Sequence, residues 1–170
     1  MALRPGRVLR EWKRPWCRVS KTKPRKSYVV GVPFPKIHVF ETGTKGKYDT
    51  EVYLVSKKDV QIRDNALEAA RIVSNSLLEK KLETNYFYKM LIYPHNVIRE
   101  HNVASGAGAD RYSQGMAHPF GGPVGKSAIV KAGQNLIMIR VNKKDIPIAK
   151  QALKRASSKV RCTTMIKIKE

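Results

Sequence analysis

Positive charge is segregated along this chain, and the segregation decides which parts of it can form a core. Residues 1–26 carry ten Lys or Arg and one acid, Glu11, while residues 131–170 carry eleven against Asp145 and Glu170. Each end is therefore +9, whereas residues 27–100 amount to +2 and residues 101–130 to +1. Like charges at such density cannot be gathered into a low-dielectric interior. Two strongly basic ends thus flank a nearly balanced middle, which is not how evenly scattered solvating charge is distributed. The formal net charge of +21 over 170 residues exceeds the magnitude of ~2–8 usual for a small domain, so a polyanion is needed to relieve self-repulsion. Nucleic acid and an anionic membrane surface are the two that qualify. With 42% hydrophobic residues the chain has enough apolar surface for one folded domain.

Residues 1–26 show no apolar period and contain Pro5, Pro15 and Pro24. They read as an extended basic arm that relies on a partner. Arg4, Arg7, Arg10, Lys13, Arg14, Arg18, Lys21, Lys23, Arg25 and Lys26 are interleaved with Trp12 and Trp16. Lys and Arg neutralise phosphates and release counterions, and indole rings stack on unpaired bases. A mitochondrial presequence is also Arg-rich and acid-poor, but it needs an amphipathic helix, which these prolines and tryptophans oppose. Membrane binding would need an apolar helix face beside the charge, and none is present.

From residue 27 onward a single α+β domain is expected. Tyr28–Pro33 leading into Pro35–Phe40 has a short strand pattern, Gly43 and Gly46 mark a turn, and Glu51–Val55 reads as a second strand. Ala66, Ala69, Ala70, Val73 and Leu77 share one face of a 3.6-residue period, with Asp59 or Asp64 available as the cap. An aromatic-rich strand at Tyr86–Tyr93, two strands near Ser127–Lys131 and Leu136–Val141, and a helix starting near Lys143–Asp145 follow. That helix has Ile148, Ala149, Ala152, Leu153 and Ala156 as its apolar stripe, with Lys150, Lys154 and Arg155 off it. An alternating strand through Cys162–Ile168 ends the chain. Two helices and about six strands are too few helices for a doubly wound sheet, which indicates a sandwich of mixed or antiparallel strands.

Between the third and fourth of these strands lies a long stretch, 101–125, with little regular pattern. Together with Gly133 it holds seven of the eleven glycines. A spacer does not need Arg111, Tyr112, Gln114, Met116 and Phe120, so the stretch reads as a functional loop. Its end, Gly121–Ser127, finishes in Gly-Lys-Ser like a phosphate loop. The first glycine of that pattern is replaced by Phe120, Pro123 removes an N–H, and the residues that follow look like a strand rather than a helix. Nucleotide hydrolysis is therefore disfavoured. The two cysteines, Cys17 and Cys162, and four scattered histidines offer no metal-ligand spacing, so no metal and no cofactor is expected. No nucleophilic arrangement stands out, and no catalytic residue is assigned.

Five ordered blocks carry a resemblance: Gly31–Ile37 (GVPFPKI), Ala66–Ile72 (ALEAARI), Pro94–Arg99 (PHNVIR), Gly106–Arg111 (GAGADR) with Gly115-Met116, and Phe120–Gly125 (FGGPVG). Together they resemble the universal large-subunit ribosomal protein sixteen family in its archaeal and eukaryotic form, ribosomal protein L-ten-e, with the short C-terminus pointing to the archaeal form. The resemblance implies a compact α/β-hammerhead-like fold. It also implies a cytoplasmic, structural, non-enzymatic role in translation. The expected partners are large-subunit rRNA near the central protuberance, 5S rRNA, A-site and P-site tRNA, and neighbouring ribosomal proteins, with no membrane and no homo-oligomer. The rRNA-binding set would be the arm residues above together with Arg99, Lys126, Lys150, Lys154 and Arg155, with Arg99 matching a family position important for ribosome maturation. The tRNA-facing loop would present Asn102, Ser105, Gly106, Gly108, Asp110, Arg111, Tyr112, Gln114 and Gly115. The alternatives from other classes are an RNA-binding ribosome-assembly factor, a nucleotide-hydrolysing RNA enzyme, and a DNA-compacting basic protein.

Overall fold

The computed structural model describes residues 5–6, 29–100, 106–111, 121–160 and 162–169. In chain order, β1 (Glu41–Gly43), β2 (Thr50–Ser56) and β3 (Val60–Arg63) precede α1 (Asp64–Leu82). Next come β4 (Phe87–Met90), β5 (Asn96–Glu100), β6 (Gly122–Val130), β7 (Asn135–Val141), α2 (Ile146–Val160) and β8 (Thr164–Lys169). A five-stranded sheet has the order β1-β4-β7-β2-β8 and a three-stranded sheet the order β3-β6-β5. Every pairing between them is antiparallel. The α+β class follows, with eight strands among the described residues where six were expected.

The two additional strands, β3 and β5, are short and end in charged residues, so no alternation announces them. Both exist because β6 lies between them and supplies their ladder partners. The expected first strand at 28–40 is also displaced. Its described part, residues 29–40, forms no ladder and bends at Gly31 and Lys36, and pairing starts only at Glu41 opposite Lys89.

One face of the large sheet and the helices make the core. Val52, Leu54, Tyr88, Ile137 and Ile139 face inward, each at most 1% exposed, against Leu67, Leu78 and Leu153 from the helices. Burying a large aliphatic side chain of this kind is worth roughly 1.5–3 kcal/mol. On α2 the side chains at Ala149, Ala152 and Ala156 are completely buried, and their small size lets α1 and α2 approach closely. The buried side of α1 runs through Leu67, Ala70, Ser74 and Leu78, rotated from the expected alanine stripe, with Ala66, Ala69 and Val73 only half-buried. Hydropathy misplaced the stripe because two buried members are polar. Ser74 Oγ donates to the Ala70 carbonyl at 2.7 Å, and Asn75 Oδ1 accepts from the Tyr86 hydroxyl at 2.7 Å.

Neither aspartate caps α1 as expected. Its N-cap is Arg63, which makes no side-chain cap bond, and Asp64 is already the first helical residue. The Asp64 carboxylate accepts from Lys36 N at 2.9 Å and Asn65 N at 2.8 Å, which ties the 29–40 segment to the positive end of the helix. Asp59 instead accepts from Ala132 N at 2.7 Å.

Two predictions follow from the packing of Tyr86 and Tyr88. Gly43 has φ +86°, and a Cβ there would lie 2.1 Å from the Tyr86 carbonyl oxygen, which already accepts from Thr44 N. Gly43→Ala should therefore cost about 2–5 kcal/mol, combining left-handed strain with a backbone clash, as read by chemical denaturation. Burial, reinforced by the charge of Glu79, pushes the Tyr86 hydroxyl up to about 12, and burial pushes Tyr88 up as well. Above pH 10 the unfolded chain releases these protons while the folded one keeps them, so stability falls as pH rises through that range. Phenolate absorbance from Tyr86 and Tyr88 should then emerge together with unfolding, and Tyr86→Phe should remove its own part of that alkaline transition.

Candidate nucleic-acid interface

Two basic surfaces and one loop are candidates, and the fold sets them apart. On the exposed surface of α2, Lys150 and Lys154 (i, i+4) line one flank and Arg155 and Lys159 (i, i+4) the other, preceded by Lys143 and Lys144. None of these takes part in an ion pair among the described residues. The opposite side of the helix is fully committed to the core, so these cations can only face outward. Charge and amphipathic period together thus produce a comb of two cation pairs, the members of each about 6 Å apart along the helix.

The second surface was not anticipated from the sequence. The side of the large sheet away from the helices carries Lys89, Arg140, Lys167 and Lys169, with Lys45 and Lys47 on the adjoining turn. Two carboxylates share that face. Glu41 lies 2.7 Å from both Lys45 and Lys89, whose hydrogen bonds hold its carboxyl down to about 2. Glu51 accepts from the Tyr53 hydroxyl and from Arg140 Nε at 2.7 Å; chiefly the tyrosine and then the arginine hold it below the usual range. Exposed pairs of this kind are individually weak, so phosphates can take over these cations at small cost. Strand register alone gathers these residues from β4, β7 and β8, and linear spacing carries no sign of it.

The loop is positioned by the small sheet. β5 and β6 form an antiparallel hairpin, and residues 101–121 are its connection. Arg99 lies half-buried on β5 opposite Pro123, next to a register shift at Ile98/Arg99 that interrupts the alternation. Lys126 is half-buried on β6 opposite Val97. The Gly-Lys-Ser sequence is therefore the middle of a strand rather than the start of a helix, so it cannot form a phosphate cradle. Within the loop, Gly106–Arg111 forms a tight turn in which Ala109 N donates to Gly106 O at 3.2 Å and Arg111 N to Gly108 O at 3.1 Å. Gly106 and Gly108 have φ +126° and +77°, conformations that glycine supplies without strain. Arg111 closes that turn and is exposed, and Asp110 precedes it in the same turn.

On β3, opposite Ser127, the guanidinium of Arg63 has Nε and one Nη enclosed without an acceptor among the described residues. It too escaped the sequence reading, because β3 itself was not recognised. The structure thus brings Arg63, Arg99 and Lys126 onto one three-stranded sheet at the root of the loop, and sets Lys150, Lys154 and Arg155 on α2. The arm residues Arg4, Arg7, Arg10, Trp12, Lys13, Arg14, Trp16, Arg18, Lys21, Lys23, Arg25 and Lys26 lie outside the described residues. So do Asn102, Ser105, Tyr112, Gln114 and Gly115. Among the described residues no His, Cys, Asp and Glu group could hold a metal ion, and no helix is long and apolar enough to cross a membrane.

Comparison with known proteins decides the family. The model of the family described as ribosomal protein L16p/L10e matches residues 16–167. The chain belongs to the L16p/L10e family of ribosomal proteins. Relatives named large ribosomal subunit protein uL16 come from Archaeoglobus fulgidus (41% identical over all of this chain and 95% of that protein) and Methanococcus aeolicus (44%, covering 98% and 95%). Another, from Saccharolobus solfataricus, is 45% identical over 99% of this chain and 93% of the relative. An L16p/L10e protein is a constituent of the ribosome rather than an enzyme, which removes the nucleotide-hydrolysing alternative on grounds independent of the strand geometry at Lys126.

If the α2 comb grips phosphates, Lys150→Gln, Lys154→Gln and Arg155→Gln combined should weaken rRNA binding similarly for all sequences. The slope of log affinity against log salt should fall by roughly 2–3, as three neutralised contacts require. Filter binding of the intact chain across a salt series measures both.

Proposed function

We propose that this L16p/L10e protein is a structural constituent of the cytoplasmic large ribosomal subunit, which binds large-subunit rRNA and helps position tRNA through its internal loop. The observation that carries this reading is the coverage of the uL16 relatives, which extends over nearly the whole length of both chains. The basic arm, the α2 comb and the cationic sheet face would neutralise rRNA phosphates, fixing the protein by shape and backbone contacts rather than base reading. In this reading that contact would lie near the central protuberance and 5S rRNA, as the family resemblance implies.

The loop supports the second half of the reading. It leaves the hairpin between Glu100 and Gly122, with Arg99 at its root, and is nearly free of charge. Glycines let its backbone approach RNA closely, because few side chains stand in the way. It would hold the acceptor arms of A-site and P-site tRNA without any chemical role of its own. Neighbouring ribosomal proteins complete its surroundings.

Sedimentation of reconstituted particles tests both halves. The unmodified chain should stay with the large subunit through a moderate salt wash. Deletion of residues 102–115 should leave that association intact and weaken tRNA binding to the particle. Loss of the unmodified protein in the wash would overturn the rRNA half, and unchanged tRNA binding after the deletion would overturn the loop's role.

A further inference from the structure

The segment before β1 is fastened along one side only. Pro35 and Ile37 are buried, Ile37 within the main core. Lys36 N–H donates to Asp64 Oδ2, and the Phe40 carbonyl accepts from Met90 N at 2.8 Å. Burial alternates from 34 to 38: with Pro35 and Ile37 anchored, Phe34, Lys36 and His38 are all exposed. Phe34 is 89% exposed, an unusual state for an aromatic ring on a firmly held backbone. Pro33 and Pro35 restrict φ on both sides of it, so the ring is presented with little entropy left to lose on binding.

The neighbours of the ring suit an anion-bearing partner. Residues 29–40 contain no acid. The one carboxylate tied to the segment, Asp64, is occupied by two backbone N–H groups. Lys36 follows Phe34 by two residues, at a bend of the backbone, so an exposed cation stands next to the exposed ring. The half-exposed Tyr93, by contrast, already stacks on Phe40 at 5.4 Å and meets His95 at 4.6 Å.

We propose that Phe34 is a stacking platform for an unpaired RNA base, with Lys36 holding the adjoining phosphate and His38 lying next along the same strand of nucleotides. The site lies outside the arm, the α2 comb and the loop. It rests on the rRNA-binding reading above and specifies that one contacted nucleotide is unpaired. An aromatic ring is required because every base has a π face, and the cation beside it selects a nucleic acid over a neutral apolar pocket.

Binding of the full-length chain to single-stranded oligoadenylate and to an RNA duplex of equal length, across a salt series, tests this. Phe34→Ala should weaken single-strand binding by roughly 5- to 150-fold and leave duplex binding unchanged, because paired bases cannot stack on the ring. Phe34→Trp should retain single-strand binding, and Phe34→Leu should behave like the alanine variant. Lys36→Gln should reduce the single-strand salt slope by about 0.7. Unchanged single-strand binding by Phe34→Ala overturns the proposal, as does an equal loss on the duplex. Full activity of Phe34→Leu also overturns it and reassigns the residue to an apolar protein pocket. Since the ring is exposed, thermal melting of all variants should match the unmodified chain, which excludes misfolding as the cause. Co-sedimentation of the unmodified chain separates the two readings: a protein that stays on the subunit while Phe34→Ala has no effect loses only the stacking site.

Discussion

The whole arrangement depends on a pinned double crossing between the two sheets. Besides the return through α1 to β4 and the passage from β4 to β5, the chain leaves the large sheet at the end of β2 to enter β3, and returns at the end of β6 to enter β7. These two connections run side by side. Ser56 N donates to Gln134 O, Gly133 N donates to Ser56 O, and Asp59 accepts from Ala132 N, while Ser56 Oγ closes its own turn on Lys58 O. Backbone groups at a sheet boundary have no ladder partner and would otherwise go unsatisfied, so the two turns satisfy each other. Gly133, at φ +82°, makes the tight return possible.

From that crossing the functional surfaces are set at a distance. β6 emerges from it and carries the small sheet away from the crossing, with β3 on one side and β5 on the other. The long loop therefore opens at the end of a ladder whose opposite end is bonded to the large sheet. Meanwhile α2 lies on β2 and β7 with its alanines inward, and its cations have no other direction than outward. The cationic surfaces and the two ends of the low-charge loop thus coexist in one chain, because they belong to different sheets and layers.

Sequence patterns were most reliable where a single element carried its own period. α2 was legible because apolar and basic residues separate cleanly around a 3.6-residue turn, and the outward cations follow from that division. β2, β4, β7 and β8 were visible in the same way, through alternation or aromatic content. α1 was located but rotated, since Ser74 and Asn75 are buried through hydrogen bonds that hydropathy cannot register. The phosphate-loop resemblance at Gly121–Ser127 was weak already in the sequence, where Phe120, Pro123 and the following strand pattern oppose it, and β6 is indeed a strand with ladder partners on both sides.

The amino-acid order alone settled that this chain needs a polyanion and which ordered blocks place it beside the L16p/L10e proteins. These are properties of composition, period and contiguous motif, and they need no distant contact. Tertiary structure decided that β3 and β5 are strands, that Asp64 tethers residue 36 instead of capping a helix, and that Glu41, Glu51 and their cations share one sheet face. It also decided that Phe34 faces outward while Pro35 and Ile37 on either side of Lys36 are buried. Each of these depends on residues far apart in sequence meeting across a ladder or a single hydrogen bond, and that pairing energy exists only once the chain has closed on itself.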